Sequence, residues 1–416
     1  MVDSAGRGPD PAWTVRAYTE ADHPAYTRVI SEALLLDRAG FRRHTELHPV
    51  SDHGRVLVAT DGQRVVGTAQ ALELELTLPQ GPRPVAGITA VGVWPTHRRR
   101  GVLSALMRRQ IADAHERGEK VAALWSSEGG IYDRFGYGQA VFEQAVGVDR
   151  RDARLRSEVP REEGLSTELR EAHHALPDLL ALYRKLARGR VGQIARTVPW
   201  FEYLIGPQEE GRNEPLAVVV RDADAPRGYA LYRTESHWDG GLPRGKVVVQ
   251  ELGALDPPAR TALYEHLFSR DLTTRVEFAH LPLDEPLPLM LEDGRLLRRG
   301  TYDSLWLRLV DLPAALAERT WAAPVDAVLA VTDRYAPWNE GTWRLRAGPE
   351  GATVESTDRA PEVSLDAAHL GAAYLGQVRL SNHRAAGALT EHEPGTVERL
   401  DTALFRPAAP YCGTAF

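Results

Sequence analysis

The sequence predicts a chain of three units, two of them α/β and the last α+β. Three observations carry this. Residues 88–109, ITAVGVWPTHRRRGVLSALMRR, read as a buried strand, a basic turn and an amphipathic helix. Residues 216–268 repeat that grammar, with a hairpin, a strand, prolines and a helix. From about residue 302 the order changes to a strand, a short helix, alternating segments and late helices. The predicted units are 1–152, 153–300 and 301–416.

The first unit opens on a short strand, Trp13-Thr14-Val15-Arg16. Thr19-Glu20-Ala21-Asp22 supplies an N-cap and first-turn acids for a helix. Residues 56–75 alternate on either side of Asp61-Gly62, which predicts a hairpin. The apolar stretch through Ile88, Val91 and Val93 stops at Pro95, and Arg98-Arg99-Arg100-Gly101 forms a basic loop. Leu103, Leu106, Met107 and Ile111 then share one helical face, and Gly118 stops that helix. Residues 121–125, VAALW, predict a buried strand, and the unit closes near Asp149. In the second unit, residues 216–234 copy the hairpin and residues 247–268 copy the strand and helix. There, however, Pro257-Pro258-Ala259-Arg260 replaces the arginine–glycine loop. Proline has no N–H to offer a phosphate, so one ligand site per chain is expected, in the first unit. The third unit starts with SLWLRLVDLPAALAER, a strand followed by a helix with Asp311 as N-cap and Pro313 in its first turn. VDAVLAVTD and TWRLRA alternate, residues 365–373 and 397–404 read as helical, and the tail runs extended to CGTAF.

Composition narrows the function. A net charge of -7 over 416 residues argues against a nucleic-acid-binding body and mildly favours a cationic substrate. A single cysteine, Cys412, excludes an intrachain disulfide framework and a cysteine-based metal site. His115-Glu116 lacks the spacing of a helical zinc motif and reads as a solvated face, so no metal is expected. No run approaches the roughly 18 apolar residues of a membrane span. The first residues, MVDSAGRGPDPAWTVR, have no apolar signal core. A cytoplasmic protein is expected.

The strand, basic turn and helix junction aims several backbone N–H groups and a helix dipole at one point, an arrangement that favours a pyrophosphate. Gly101 lets the backbone come close. The chain has no Gly-x-x-x-x-Gly-Lys-Ser/Thr, and no Gly-x-Gly-x-x-Gly follows this strand. The pattern Arg-x-x-Gly-x-Leu over residues 98–103, after a strand ending Val-x-Val, resembles the acetyl-CoA loop of the GNAT N-acetyltransferases. That resemblance implies that the loop amides cradle the CoA pyrophosphate. Amine acetylation from a thioester needs a held donor, a polarised carbonyl, a neutral amine and a protonated leaving thiolate. Gly92 is expected to mark a bulge where its strand leaves residues 121–125. A phenol just beyond those residues can protonate the thiolate, and Tyr132 and Tyr137 both qualify on chemistry. His97 sits in the phosphate loop and reads as loop structure, not as a base. Glu32, Asp37 and Glu46 are candidates for holding a cation, against a plain reading as solvated charges.

PTHRRRGVL and SEGGIYDRFGYG, followed by Val-Asp-Arg-Arg, closely resemble the Eis (enhanced intracellular survival) family of N-acetyltransferases. WLRLVDLPAALAER, a late Ala-Ala-Tyr-Leu-Gly and a terminal Phe extend the resemblance over all three units. It implies two tandem GNAT-like regions, the second degenerate, followed by a sterol-carrier-protein-like domain. It implies acetyl-CoA as acyl donor, small-molecule amines such as aminoglycosides as acceptors, and a homo-hexamer. By resemblance, Val91, Gly92 and Val93 hold the pantetheine arm, and Arg99, Arg100, Gly101, Val102, Leu103 and Ser104 form the pyrophosphate loop. Ser127 and Glu128 also contact CoA, Tyr132 is the general acid, and the terminal carboxylate on Phe416 is the general base. The tail Cys412-Gly413-Thr414-Ala415 departs from the acidic or aromatic residues of the family pattern, so the acceptor pocket should differ. A protein-lysine acetyltransferase and a lipid-carrying binding module are the alternatives. The intact loop and the Tyr132 segment favour catalysis.

Overall fold

The computed structural model describes residues 13–37, 53–206 and 214–416. The first unit follows the predicted order: β1 (Trp13–Ala17), α1 (His23–Ala33), β2 (Val56–Asp61), β3 (Arg64–Leu78), β4 (Gly81–Val93), α2 (Val102–Glu116) and β5 (Val121–Trp125). Thr19 and Asp22 form a capping box ahead of α1, and Gly62 turns the β2–β3 hairpin. After a loop come β6 (Gly138–Gln139) and β7 (Phe142–Asp149). The second unit carries β8 (Ser166–Glu171), α3 (Ala172–Gly189), α4 (Val198–Ile205), β9 (Leu216–Arg221) and β10 (Pro226–Glu235). A small hairpin of β11 (Trp238–Asp239) and β12 (Leu242–Pro243) precedes β13 (Gly245–Ala254), α5 (Pro257–Phe268), β14 (Thr273–Pro282) and β15 (Arg298–Asp303). The third carries β16 (Leu305–Leu309), α6 (Leu312–Glu318), β17 (Val325–Thr332), β18 (Gly341–Gly348), β19 (Gly351–Ser356) and β20 (Val363–Asp366). It ends with α7 (Ala367–Ala373), α8 (Leu380–Ala385), β21 (Thr390–Glu391) and α9 (Thr396–Leu404). Among the described residues no helix is long and apolar enough to cross a membrane.

The sheets do not respect the linear units. One sheet runs β1-β2-β3-β4-β5-β16-β6, and the other runs β15-β7-β14-β13-β10-β9-β8. Thus β7, on the first unit's side of residue 152, pairs with β14 and β15 of the second. Conversely β16, on the third unit's side of residue 300, lies antiparallel to β5 and closes the first sheet. Strand periodicity carries no information about which sheet a strand enters; burial on both faces of β16 requires a place inside a sheet. The third unit's own sheet is β19-β18-β17-β20-β21. One apolar cluster joins Leu72 and Leu74 of β3, Ile194 and Trp200 of the second unit, and Leu370, Tyr374 and Leu400 of the third.

Each sheet strand presents alternate residues to opposite sides. On β4, Ala86 and Ile88 pack toward Met107 and Ile111 of α2. Val85 faces the other way, into the cluster shared by the three units.

Arg308 of β16 is fully buried. Its guanidinium holds both oxygens of Asp333 at 2.8 Å and donates to the Phe135 carbonyl. Asp333 also accepts from the Asn339 amide at 3.0 Å, and Asn339 in turn caps the Leu312 N–H at 2.9 Å. Removing one partner of such a pair strands the other charge without solvent. Asp333→Ala should therefore cost about 3–5 kcal/mol in urea unfolding. A loss below about 1 kcal/mol would show that water reaches Arg308 readily.

Candidate active site

The site begins where two neighbouring strands part. β4 and β5 run parallel and pair only at Ala86↔Ala122, Gly87↔Ala123 and Ile88↔Leu124. β5 ends at Trp125, while β4 continues to Val93 with that edge unpaired. A bulge sits in this free stretch: Ala90 and Val91 oppose Ala69 alone, between Thr68↔Gly92 and Gln70↔Thr89. Ala90 takes φ 49, and the Thr68 hydroxyl donates to its carbonyl at 2.9 Å. The bulge therefore lies at Ala90, not at the expected Gly92. Gly92 is needed for packing, since a Cβ there would lie 2.9 Å from Ala33 Cβ of α1.

The basic loop follows. His97 is buried, with Nε2 3.1 Å from Asp61 and Nδ1 3.0 Å from the Thr96 hydroxyl, so it braces the loop as expected. Arg99 and Gly101 both take left-handed conformations, φ 60 and φ 89. Space does not demand the glycine, because a Cβ would meet only Trp13 at 3.4 Å; the backbone angle does. α2 then starts at Val102 with no side-chain cap among the described residues. Its first-turn N–H groups are left to a ligand, at the positive end of the helix.

The facing wall is the segment after β5, which ends in a short 3-10 turn over Asp133–Phe135 and the left-handed Gly136. A Cβ on Gly136 would overlap the Arg308 guanidinium, so this turn is seated directly on the buried ion pair. Together the walls enclose a cavity of about 430 Å³. It is lined by Val91, Gly92, Val93, Arg99, Gly101, Val102, Leu103, Ser104, Ser127, Glu128 and Tyr132, all expected there from sequence. Two residues expected at the site lie elsewhere. The Arg100 guanidinium sits 5.8 Å over the Trp13 ring and does not line the cavity. Phe416 packs on the other face of the sheet, over Gly87, where a Cβ would fall 3.2 Å from its ring. Sequence reasoning missed Ala33, Leu34, Ile131 and Arg134, which also line the cavity. Arg134 was within reach, since it belongs to the SEGGIYDRFGYG motif; Ala33 and Leu34 carry no local signal.

Arg98, Arg99 and Arg134 against Glu128 make the cavity cationic, and the free α2 amides add to this. A cavity of similar size, about 440 Å³, opens beside Gly54 and the end of α2, but three of its four arginines are committed to carboxylates. Arg16 pairs with Asp22, Arg55 with Glu119 and Arg109 with Asp113.

The two tyrosines separate clearly. Tyr132 lines the cavity at 6% exposure. Burial, with Glu128 as a second cause, pushes its phenol up to about 12, so it holds its proton at neutral pH. Tyr137 is fully buried outside the cavity, its ring 6.2 Å from that of Tyr132 and its hydroxyl without a partner among the described residues. Cys412 is sealed, burial pushes its thiol up to about 12, and it donates to the Thr414 carbonyl; this is an inert thiol. His115 is not a solvated residue: it stacks on Trp338 of the third unit at 4.2 Å. Glu32 and Asp37 are exposed, and Glu46 lies outside the described residues.

The corresponding junction in the second unit is closed. Pro257 and Pro258 occupy the first turn of α5, and the Asp256 carboxylate accepts from the Ala259 N–H at 2.9 Å. The amides that α2 leaves free are missing or satisfied there, and the cap is anionic.

Comparison with known proteins agrees with this architecture. The acetyltransferase (GNAT) domain family matches residues 14–140, and a second acetyltransferase (GNAT) domain family matches 192–329. The sterol carrier protein domain family matches 312–413. The N-acetyltransferase Eis of Mycobacterium tuberculosis is 38% identical over 371 residues, 85% of this chain and 87% of that one. An N-acetyltransferase of Streptomyces avermitilis is 41% identical over 86% of this chain and 88% of its own. The crystal structure of Eis1 from Mycobacterium abscessus superposes with a TM-score of 0.82 at 32% identity, covering 97% of this chain and all of that one (100%).

Calorimetry should find one acetyl-CoA site per chain. Gly101→Glu should abolish it, because it strains the left-handed loop and sets a carboxylate against the pyrophosphate. Two sites in the wild type, or undiminished binding in the variant, would move the site away from this loop.

Proposed function

This chain belongs to the Eis family of GNAT N-acetyltransferases, and we propose that it transfers acetyl from acetyl-CoA to amines of a cationic, aminoglycoside-like small molecule. The observation that carries this reading is the cationic cavity in which the uncapped α2 amides and Tyr132 meet at the parting of β4 and β5. In this reading the pyrophosphate lies on Arg99, Gly101 and the first turn of α2, and the pantetheine arm runs along Val91, Gly92 and Val93 in place of the missing strand partner. Arg100 takes part through the loop backbone, its side chain being held by Trp13. Ser127 and Glu128 contact CoA from the facing wall.

The chemistry then divides between the faces of the sheet. In this reading the acceptor amine reaches the thioester where β4 and β5 part. The thioester arrives from the α2 face, and the amine from the face where Phe416 packs. Tyr132, neutral at physiological pH, gives its proton to the leaving CoA thiolate as the tetrahedral intermediate collapses. The terminal carboxylate of Phe416 takes the proton that the attacking amine must lose. An α-carboxylate has a pKa near about 3.5 in water, so it is a weak base toward an ammonium of about 10. A water relay can carry the proton, and the charge of the carboxylate also holds the cationic acceptor in place. The three units, divided at 152 and 300, are proposed to assemble as a cytoplasmic homo-hexamer, which analytical ultracentrifugation checks.

A thiol-release assay with acetyl-CoA, followed by mass spectrometry of the acceptor, tests the reading across aminoglycosides, polyamines and lysine peptides. Acetylation of lysine peptides alone would make the chain a protein-lysine acetyltransferase, and no thiol release with any acceptor would make it a binding protein. Tyr132→Phe should lower kcat by about 10²-fold with acetyl-CoA affinity unchanged. A full-rate variant would remove Tyr132 as the acid. Deleting Phe416, or extending the chain beyond it, should remove most transfer while leaving acetyl-CoA binding intact. Unchanged turnover by the extended chain would reject the carboxylate as base.

A further inference from the structure

The last residues belong to no helix or strand, yet Cys412, Gly413 and Thr414 are held by hydrogen bonds with buried side chains. Cys412 and Thr414 are fully buried. Two buried charges grip them. The Glu143 carboxylate of β7, itself fully buried, accepts the Cys412 and Gly413 N–H groups at 3.3 and 2.9 Å. Arg196, whose side chain is 1% exposed, donates to the Thr414 hydroxyl oxygen from Nε at 2.9 Å and Nη2 at 2.6 Å, and to the Gly413 carbonyl at 3.1 Å. Its remaining nitrogen pairs with Glu251 at 2.6 Å, and its plane lies 4.1 Å over the Tyr183 ring.

A sealed guanidinium is costly to desolvate unless its donors are matched. Glu251 neutralises this one, and the other donors are spent on a chain terminus. A carboxylate would satisfy Arg196 more strongly than a threonine hydroxyl. The hydroxyl instead fixes the chain two residues short of the end without consuming the terminal charge. From Thr414 the chain spans only Ala415 to reach Phe416, whose ring is seated over Gly87 beside the point where β4 and β5 part. Two extended residues reach about 7 Å, so anchoring at both Thr414 and the Phe416 ring leaves the carboxylate little freedom.

We infer that Arg196 and Glu143 are positioning residues for the terminal carboxylate, and that the Arg196–Thr414 contact sets where the carboxylate stands relative to the acceptor amine. This rests on the proposed role of that carboxylate as base. A misplacement of about 1 Å in a reacting group costs up to about 10²-fold in rate.

Thr414→Val keeps the shape, removes the hydroxyl and leaves the Arg196–Glu251 pair in place. In the full chain it should lower kcat about 10-fold to 10²-fold, with KM for acetyl-CoA unchanged, and Thr414→Ser should restore the rate. Introduced into a chain extended beyond Phe416, the same change should have no further effect, because Phe416 then carries a peptide carbonyl in place of the carboxylate. Full activity of Thr414→Val, or equal losses in both backgrounds, would overturn the clamp while leaving the base reading standing. Wild-type turnover of the extended chain would instead reject the base reading, and the positioning role with it. Carboxypeptidase digestion gives a readout independent of catalysis. The variant's terminus should be trimmed faster than the wild type's, and equal trimming would show that Arg196 does not hold the tail.

Discussion

The Arg308–Asp333 ion pair is the constraint on which the other parts depend. A fully buried guanidinium is tolerable only when its charge is matched and its donors are occupied. Arg308 matches its charge and occupies both terminal nitrogens with groups from separate places, Asp333 from the third unit and the Phe135 carbonyl from the turn that follows Tyr132, while its Nε has no partner among the described residues. Asn339 extends the network to the Leu309 and Val310 carbonyls and the Leu312 N–H. Solvation thus dictates a three-way junction. β16 in the first sheet is thereby tied to Asp333 of the third unit and to the turn behind Tyr132.

The exchange of β7 and β16 has a related consequence. Because β7 crosses to the second sheet, it carries Glu143 to where the chain terminus passes. The segment around Ile194 bridges to Leu76 of β3, with further backbone bonds from Thr77 to Gln193 and from Ala195 to Glu75. This brings Arg196 to the same place. Residues from both acetyltransferase-like units therefore grip a tail that belongs to the third. The tail's order is not a property of its own residues; it is imposed by partners that only the assembled sheets bring together.

The two acetyltransferase-like units share a grammar but not a site. In the first, α2 starts at a left-handed glycine and leaves its amides uncapped. In the second, α5 starts with two prolines behind a capping aspartate. The second arrangement makes a more self-sufficient helix end. The first leaves backbone groups unsatisfied within the chain and so available to an anion, which is how a helix terminus becomes a binding surface.

Much of this was legible in the chain itself. Strand and helix positions follow from period-2 and period-3.6 alternation, and a cap such as Asp311 is local chemistry. The cavity's walls were legible for the same reason: the loop at residues 98–101 and the turn after β5 are contiguous segments whose backbone geometry is encoded locally. Glycine patterns alone misplaced the bulge, because Ala90 reaches its positive φ through a hydrogen bond from Thr68 on the neighbouring strand. The remaining decisions were tertiary. Sheet membership of β7 and β16, the diversion of Arg100 to Trp13, and the placing of Tyr132 on the cavity with Tyr137 sealed behind it all depend on residues far apart in sequence. Periodicity tells a residue which face of its own element it occupies. Which partner waits on that face, and whether water remains there, is decided only when the sheets and units close on one another.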